Sequence, residues 1–321
     1  MRLQETILSL AHGLGLGALA RRATRRHLRI LCYHGLWLTP GPEFGNCTFI
    51  APEQFARRMA RLKRSGLPVL PLGEAVELLA QDALPDAAVV ITIDDGWVST
   101  LTHMLPVLEA HGLPATLYAT SWYAQHRLPV INVAVDYLCT AAGRTDIDPQ
   151  AQAARIEALP EAGRLAALRA FGAGLGVDEA WLEARQFELM TAAELAEAKA
   201  RGLDIQLHTH RHVELADNVA AVPQELADNR AWLGAVLGGQ GLDHFCFPSG
   251  SFHPDARAML VAAGIRSAML SDPGLNAPRS DPLALRRLLD CRSVGDAVFD
   301  GYLAGTLHFA SKLRPGRQGG C

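Results

Sequence analysis

Val89-Val90-Ile91-Thr92-Ile93-Asp94-Asp95-Gly96 is a β-branched apolar run that ends in two carboxylates and a glycine. It demands a buried strand. A chain built only for stability would not place two acids at the tip of such a strand, because desolvating carboxylates is costly. The run therefore constrains the fold and marks a site together.

Strand and helix patterns alternate on both sides of it, which predicts parallel strands joined by helical crossovers. Strands are expected at 29–34, 88–93, 115–119, 204–207, 243–247, 266–270 and 283–289. Helices are expected at 52–64, 100–111, 191–201, 223–237 and 254–263, several closed by a glycine such as Gly66, Gly112 or Gly202. Residues 124–187 differ: Ala, Glu and Arg dominate, and the segment reads as a helical insertion of two or three helices with a polar loop at 143–149. The acids fall at the carboxyl end of their strand, where ligands bind in open α/β sheets and in barrels alike.

Thirty Lys and Arg against 33 Asp and Glu leave a net charge of −3, so no global field draws the chain to nucleic acid or an anionic membrane. The six cysteines, Cys32, Cys47, Cys139, Cys246, Cys291 and Cys321, show no CxxC spacing, which suits thiols in a reducing compartment and makes the cytoplasm the default location. The stretch from Thr6 to Ala20 falls short of the ~20 apolar residues a bilayer span needs. It is interrupted by His12 and followed by Arg21, Arg22, Arg25 and Arg26, the reverse of a signal peptide's charge order. Residues 1–27 are expected to form an amphipathic helix that covers the domain or rests on a membrane surface, and 311–321 a flexible tail.

A second cluster, His208-Thr209-His210-Arg211-His212, follows directly on a predicted strand. Were that strand to continue straight, His208 and His212 would lie ~13 Å apart, whereas two ligands on one Zn²⁺ each sit ~2.1 Å from it. The chain is therefore expected to stop at His208 and curl into a helical turn, which puts His208 and His212 on one face and His210 elsewhere. A straight strand would instead align 208, 210 and 212. Side chains of neighbouring strand residues alternate faces, so Asp94 and Asp95 need Gly96 to release the backbone from the pleat. One acid can then bind a metal while the other accepts a proton.

With those residues in place, the chain resembles the polysaccharide deacetylases of the NodB-like carbohydrate esterase family. Thr92-Ile93-Asp94-Asp95-Gly96 resembles the family's Thr-Phe-Asp-Asp-Gly, and His208-Thr209-His210-Arg211-His212 its His-Ser/Thr-x-x-His. Phe245-Cys246-Phe247-Pro248-Ser249-Gly250 resembles its aromatic-Pro-x-Gly motif. The resemblance covers about residues 28–305 and implies a distorted (β/α) barrel of about seven strands, with the NodB-like domain at 28–310 and the insertion inside it.

It further implies one divalent metal, Zn²⁺ first and Co²⁺, Ni²⁺ or Mn²⁺ as alternatives, held by Asp95, His208 and His212, with Asp94 as general base. A backbone N–H near Ser249 would hold the oxyanion, and Ser249 and Arg286 are the candidate substrate-side residues. Two departures stand out. Cys246 occupies the position of an arginine that braces the base, so Arg286 or Arg287 is expected to orient Asp94. The family's late Leu-x-His has no clean match, leaving His34 as the candidate proton donor and Thr306-Leu307-His308 as a nearby alternative. The expected substrate is an acetylated saccharide of a surface or exopolysaccharide, or its precursor, N-acetyl ahead of O-acetyl. A silent carbohydrate-binding descendant and an amidohydrolase acting on a small C–N substrate are the other classes.

Overall fold

A computed structural model describes residues 16–312 apart from 42, 45, 46, 217, 240 and 251. The first fifteen residues of the expected amphipathic helix, and the tail from 313 on, lie outside the described residues.

The chain begins with α1 (Leu16–Ala23), β1 (Arg29–Tyr33), β2 (Gly35–Leu36), β3 (Phe49–Ile50), α2 (Pro52–Arg64), α3 (Leu72–Ala80) and β4 (Val89–Asp95). A π-helical turn (Thr100–Met104) leads into α4 (Leu105–His111), then β5 (Thr116–Ala119). Next come α5 (Trp122–His126), α6 (Ile131–Ala141), α7 (Pro149–Glu157), α8 (Glu161–Gly174), α9 (Ala180–Glu183) and α10 (Ala192–Ala200). The chain continues through β6 (Asp204–Leu207), α11 (Val222–Leu237), β7 (His244–Cys246), α12 (Ala256–Ala262), β8 (Ser267–Pro273), β9 (Leu285–Leu289), α13 (Asp296–Ala304) and α14 (Leu307–Lys312).

Seven strands close into a parallel barrel in the order β1, β4, β5, β6, β7, β8, β9, with β9 returning to β1. This is the seven-stranded (β/α) barrel that the resemblance implies. Period-two alternation along β4 sorts its side chains: Val89, Ile91 and Ile93 join the core shared with the surrounding helices, while Val90 packs with Ile30, Tyr118, Cys246, Met269 and Leu285 in a second cluster. The alternation carries Thr92 and Asp94 into the row of Val90. That second cluster also takes in Leu72, Ala75, Val76 and Leu79 of α3, a helix with no counterpart in the expectations above.

Two expectations are corrected. The helix foreseen at 100–111 opens with a wide turn in which the Leu105 N–H reaches back to the Thr100 carbonyl; Pro106, which lacks an N–H and crowds the preceding turn, accounts for the local widening. The segment 124–187 holds five short helices, α5 to α9, rather than two or three. Their apolar faces build a separate core with Trp37, Phe49 and Trp97. Val98 N–H donates to Glu188 O at 3.0 Å and Met190 N–H to Gly96 O at 2.8 Å, which fixes the chain just past this segment beside the tip of β4.

Candidate active site

The strands deliver their chemistry at the carboxyl mouth of the barrel. β4 ends on the two acids, and the backbone leaves the pleat there with φ +71° at Asp95 and +101° at Gly96. The left-handed residue is thus Asp95 as well as the expected Gly96, a conformation disfavoured for residues bearing a Cβ and one that short polar side chains tolerate best. It is held by Thr120 N–H donating to Asp95 O at 3.1 Å and Gly96 N–H donating to Asp94 O at 2.9 Å.

The turn gives the acids different surroundings. Asp95 Oδ2 accepts from Trp97 Nε1 at 2.7 Å. Its Oδ1 lies 3.3 Å from His208 Nε2 and 3.4 Å from His212 Nε2, yet is buried without a hydrogen bond. Asp94 points into the barrel, where Oδ1 accepts from Arg287 Nη1 at 2.7 Å and Oδ2 is 3.5 Å from Cys246 Sγ and 3.8 Å from Cys32 Sγ. Burial pushes the Asp94 carboxyl up, but the Arg287 charge and hydrogen bond outweigh it and bring its pKa down to about 2. Asp94 is ionised at neutral pH.

His208 and His212 do share one side, although not by the expected helical turn. Residues 208–212 form an irregular loop in which Thr209 (φ +65°) and His212 (φ +57°) are left-handed. The two imidazole centroids are 5.0 Å apart at 73°. Neighbouring elements impose this path. Thr120 Oγ1 donates to Thr209 O and His210 O, at 3.0 and 3.1 Å. Glu225 of α11 accepts from the His210 and Arg211 N–H groups at 2.9 and 2.8 Å. Asn229 of the same helix accepts from His208 N–H at 3.0 Å and donates to Ala119 O at 3.1 Å. His208 Nδ1 sits 2.8 Å from Cys246 O, a carbonyl that can only accept, so Nδ1 carries the proton and the Nε2 lone pair faces Asp95. His210 turns away to pair with Ser121 Oγ at 2.8 Å.

Of the two arginines, Arg287 enters the barrel and Arg286 does not. Arg287 is buried, donates to Leu270 O at 2.9 Å and to Asp94, and takes the bracing position that Cys246 leaves without a cation. Arg286 is exposed on the opposite face, its stem packed over Gly274, so the structure does not bring it to the site as a substrate-side residue. Strand parity separates the neighbours.

His34, one residue past β1, places Nε2 at 3.7 Å from Asp94 Oδ2, beyond hydrogen-bond range, with its Nδ1 buried and unpartnered. Burial lowers its pKa, so it is neutral at pH 7. His308 packs on His27 at 5.1 Å, at the amino end of β1 and away from this mouth. Ser249 is exposed with φ +53° and faces the cavity. Gly250 beside it has φ +65°, and a Cβ there would fall 1.9 Å from Ser271 Oγ, so only glycine fits.

These groups open into one cavity of about 1470 Å³. Its far wall comes from the helical segment, with Tyr123, Val133, Asp136 and Tyr137 among the lining residues and Trp37 and Phe44 alongside. Sequence inspection did not find Trp97, Glu225 and Asn229. Trp97 could have been noticed as the aromatic donor directly after the acids, whereas the α11 residues carry no local signal.

Whether the cluster suits a metal is testable on its own atoms. Asp95 Oδ1, His208 Nε2 and His212 Nε2 converge, with one buried oxygen left unbonded and one imidazole already in the metal-binding tautomer. Three oxygen and nitrogen donors around an open side fit a catalytic divalent cation.

The family model described as polysaccharide deacetylase matches residues 81–268. YxkH of Bacillus subtilis (strain 168), a relative whose own assignment as a polysaccharide deacetylase is provisional, is 33% identical over 92 residues, 28% of this chain and 31% of its own length. The match thus spans under a third of that relative. Among solved structures, the Streptococcus pyogenes deacetylase PplD in complex with acetate superposes with a TM-score of 0.59 at 16% identity, over 91% of this chain and 100% of its own. IcaB from Ammonifex degensii gives 0.56 at 19%, over 88% and 96%. At such identities these structures speak for the fold. Because the family model takes in both the two acids of β4 and the histidine loop after β6, and the barrel holds them together, the chain belongs to the polysaccharide deacetylase family.

Proposed function

We propose that the protein is a metal-dependent hydrolase that removes acetyl groups, N-acetyl in preference to O-acetyl, from a polysaccharide or a saccharide precursor. The observation that carries this is the single buried Asp95 oxygen shared by two imidazole nitrogens, one residue from an ionised acid held by a buried arginine.

A divalent cation bound by Asp95, His208 and His212, with Zn²⁺ the first choice, supplies Lewis acidity toward the acyl oxygen and acidifies water. Asp94 removes the proton from the attacking water as its oxygen bonds to the acyl carbon. Arg287 keeps Asp94 charged and fixed, and by disfavouring the protonated carboxyl it pushes the captured proton onward. A backbone N–H near Ser249 stabilises the oxyanion. As the acyl C–N bond breaks, the amine needs that proton, and neutral His34, with Nε2 3.7 Å from Asp94 Oδ2, is the imidazole that relays it from Asp94. An alkoxide leaving from an ester needs it less, which is why His34 beside Asp94 supports the N-acetyl assignment. The aromatic and polar far wall suits further sugar units.

Acetate release from a panel of N- and O-acetylated saccharides is the decisive assay. Purified protein should carry about one divalent ion per chain. His208→Ala should lose the ion and the activity together, and full metal occupancy in that variant would refute the ligand set. Asp94→Asn should keep the ion yet release acetate at least ~100-fold more slowly.

A further inference from the structure

We propose that Cys47 and Cys291 are a redox-active pair that closes to a disulfide across the rim of the active-site cavity. Their sulfurs lie 2.7 Å apart although 244 residues separate them in sequence. That is inside ordinary sulfur–sulfur contact and close to the ~2.04 Å of a formed bond, so no large backbone movement stands between thiols and disulfide.

The two sides differ in a way that assigns roles. Cys47 is half-buried, precedes β3 and lines the cavity, so a small oxidant can reach it. Cys291 is buried just past β9, its Sγ 3.3 Å from Ser293 Oγ and its carbonyl accepting from Gln54 Nε2 at 3.1 Å. Arg292 beside it bonds the Glu43 carbonyl, so the two segments are already joined on either side of the sulfurs. The hydrogen bond from Cys47, followed by those from Ser293, pulls the Cys291 thiol down to about 6 against its burial. That shift favours the thiolate, the form that attacks a disulfide.

With a small disulfide such as oxidised glutathione, the Cys47 sulfur attacks one glutathione sulfur as its S–H gives up its proton, the glutathione S–S bond breaks, and the departing glutathione thiolate takes up that proton to leave as reduced glutathione. The Cys291 thiolate then attacks the Cys47 sulfur of the mixed disulfide, forming the Cys47–Cys291 bond and expelling the second glutathione, which takes up the proton Cys291 has given to solvent. Two electrons pass from the protein thiols to the glutathione disulfide. Because β9 also bears Arg287, the new bond ties the substrate-facing rim to the strand that braces Asp94. This inference does not depend on the deacetylase chemistry.

Full-length protein is incubated with oxidised glutathione, alkylated, and digested without reductant. The expected result is a peptide linking positions 47 and 291 that dithiothreitol releases, with the thiol count in denaturant falling by two from the six in the sequence. Cys291→Ser should trap a stable glutathione adduct on Cys47 because the resolving thiolate is gone, and Cys47→Ser should show neither product. Melting curves of the reduced variants establish that they fold; if either does not, the wild-type peptide map decides alone. Wild type that remains unmodified, that keeps glutathione on Cys47, or that links either cysteine to a different thiol overturns the proposal.

Discussion

Asp94 and Asp95 adjoin in sequence and are of one residue type, yet one carboxylate is braced by a guanidinium and the other left open toward two imidazoles. The left-handed backbone at Asp95 separates them, since it turns the second side chain out of the barrel row that the first one follows. Both acids and both histidines were legible as motifs. The brace was legible only as a pair of candidates, because alternation says that Arg286 and Arg287 face opposite ways without saying which face is inward. Arg287→Met should leave Asp94 as an unpaired buried charge. We expect unfolding free energy to fall by about 3–5 kcal/mol, kcat to fall at least ~100-fold, and bound metal to be unchanged. Arg287→Lys should recover part of the rate. A folded methionine variant with wild-type kcat would exclude the bracing role.

At the level of elements, the histidine loop takes its shape from parts distant in sequence. A helical turn was a sound expectation from spacing alone, since it is the commonest local way to bring residues four apart together. Here α11 and the end of β5 instead offer acceptors and donors that an irregular loop can meet, and these contacts offset the cost of two left-handed residues. Asn229 bonds β5, the residue after β6 and Ser121 at once. Asn229→Ala should therefore destabilise by about 2–4 kcal/mol through the polar groups it strands, and weaken metal affinity roughly 10–100-fold by loosening His208. Calorimetric titration of metal into the variant checks this; undiminished affinity would mean that the loop holds its own shape. The insertion was legible as helical from composition, but its five-helix division was not, because packing against Trp37, Phe49 and Trp97 sets where each short helix stops.

For the molecule as a whole, the seam where β9 meets β1 closes the barrel, and a buried acid sits on it. Asp290 accepts from Tyr33 OH at 2.9 Å and lies 3.2 Å from Arg58 Nε, joining β1, β9 and α2. Burial pushes its carboxyl up to about 7, against the pull of Arg58. The folded state then holds a proton that the unfolded chain has released above about 4, so this group's contribution is intact below about pH 4 and is lost as pH rises to about 7. The loss amounts to roughly 4 kcal/mol at most. Denaturant titrations across that window should show falling stability in the wild type and a flatter profile in Asp290→Asn; equal slopes would rule out Asp290 as the source. No helix among the described residues is long and apolar enough to cross a membrane. By itself the sequence determined the strand and helix alternation, the barrel class and the four motif residues, because periodicity and local motifs are carried by near neighbours along the chain. Only the tertiary structure decided that Arg287 rather than Arg286 braces Asp94, that α11 shapes the histidine loop, and that Cys47 meets Cys291. Those depend on barrel register and closure, which bring together residues from 14 to 244 positions apart.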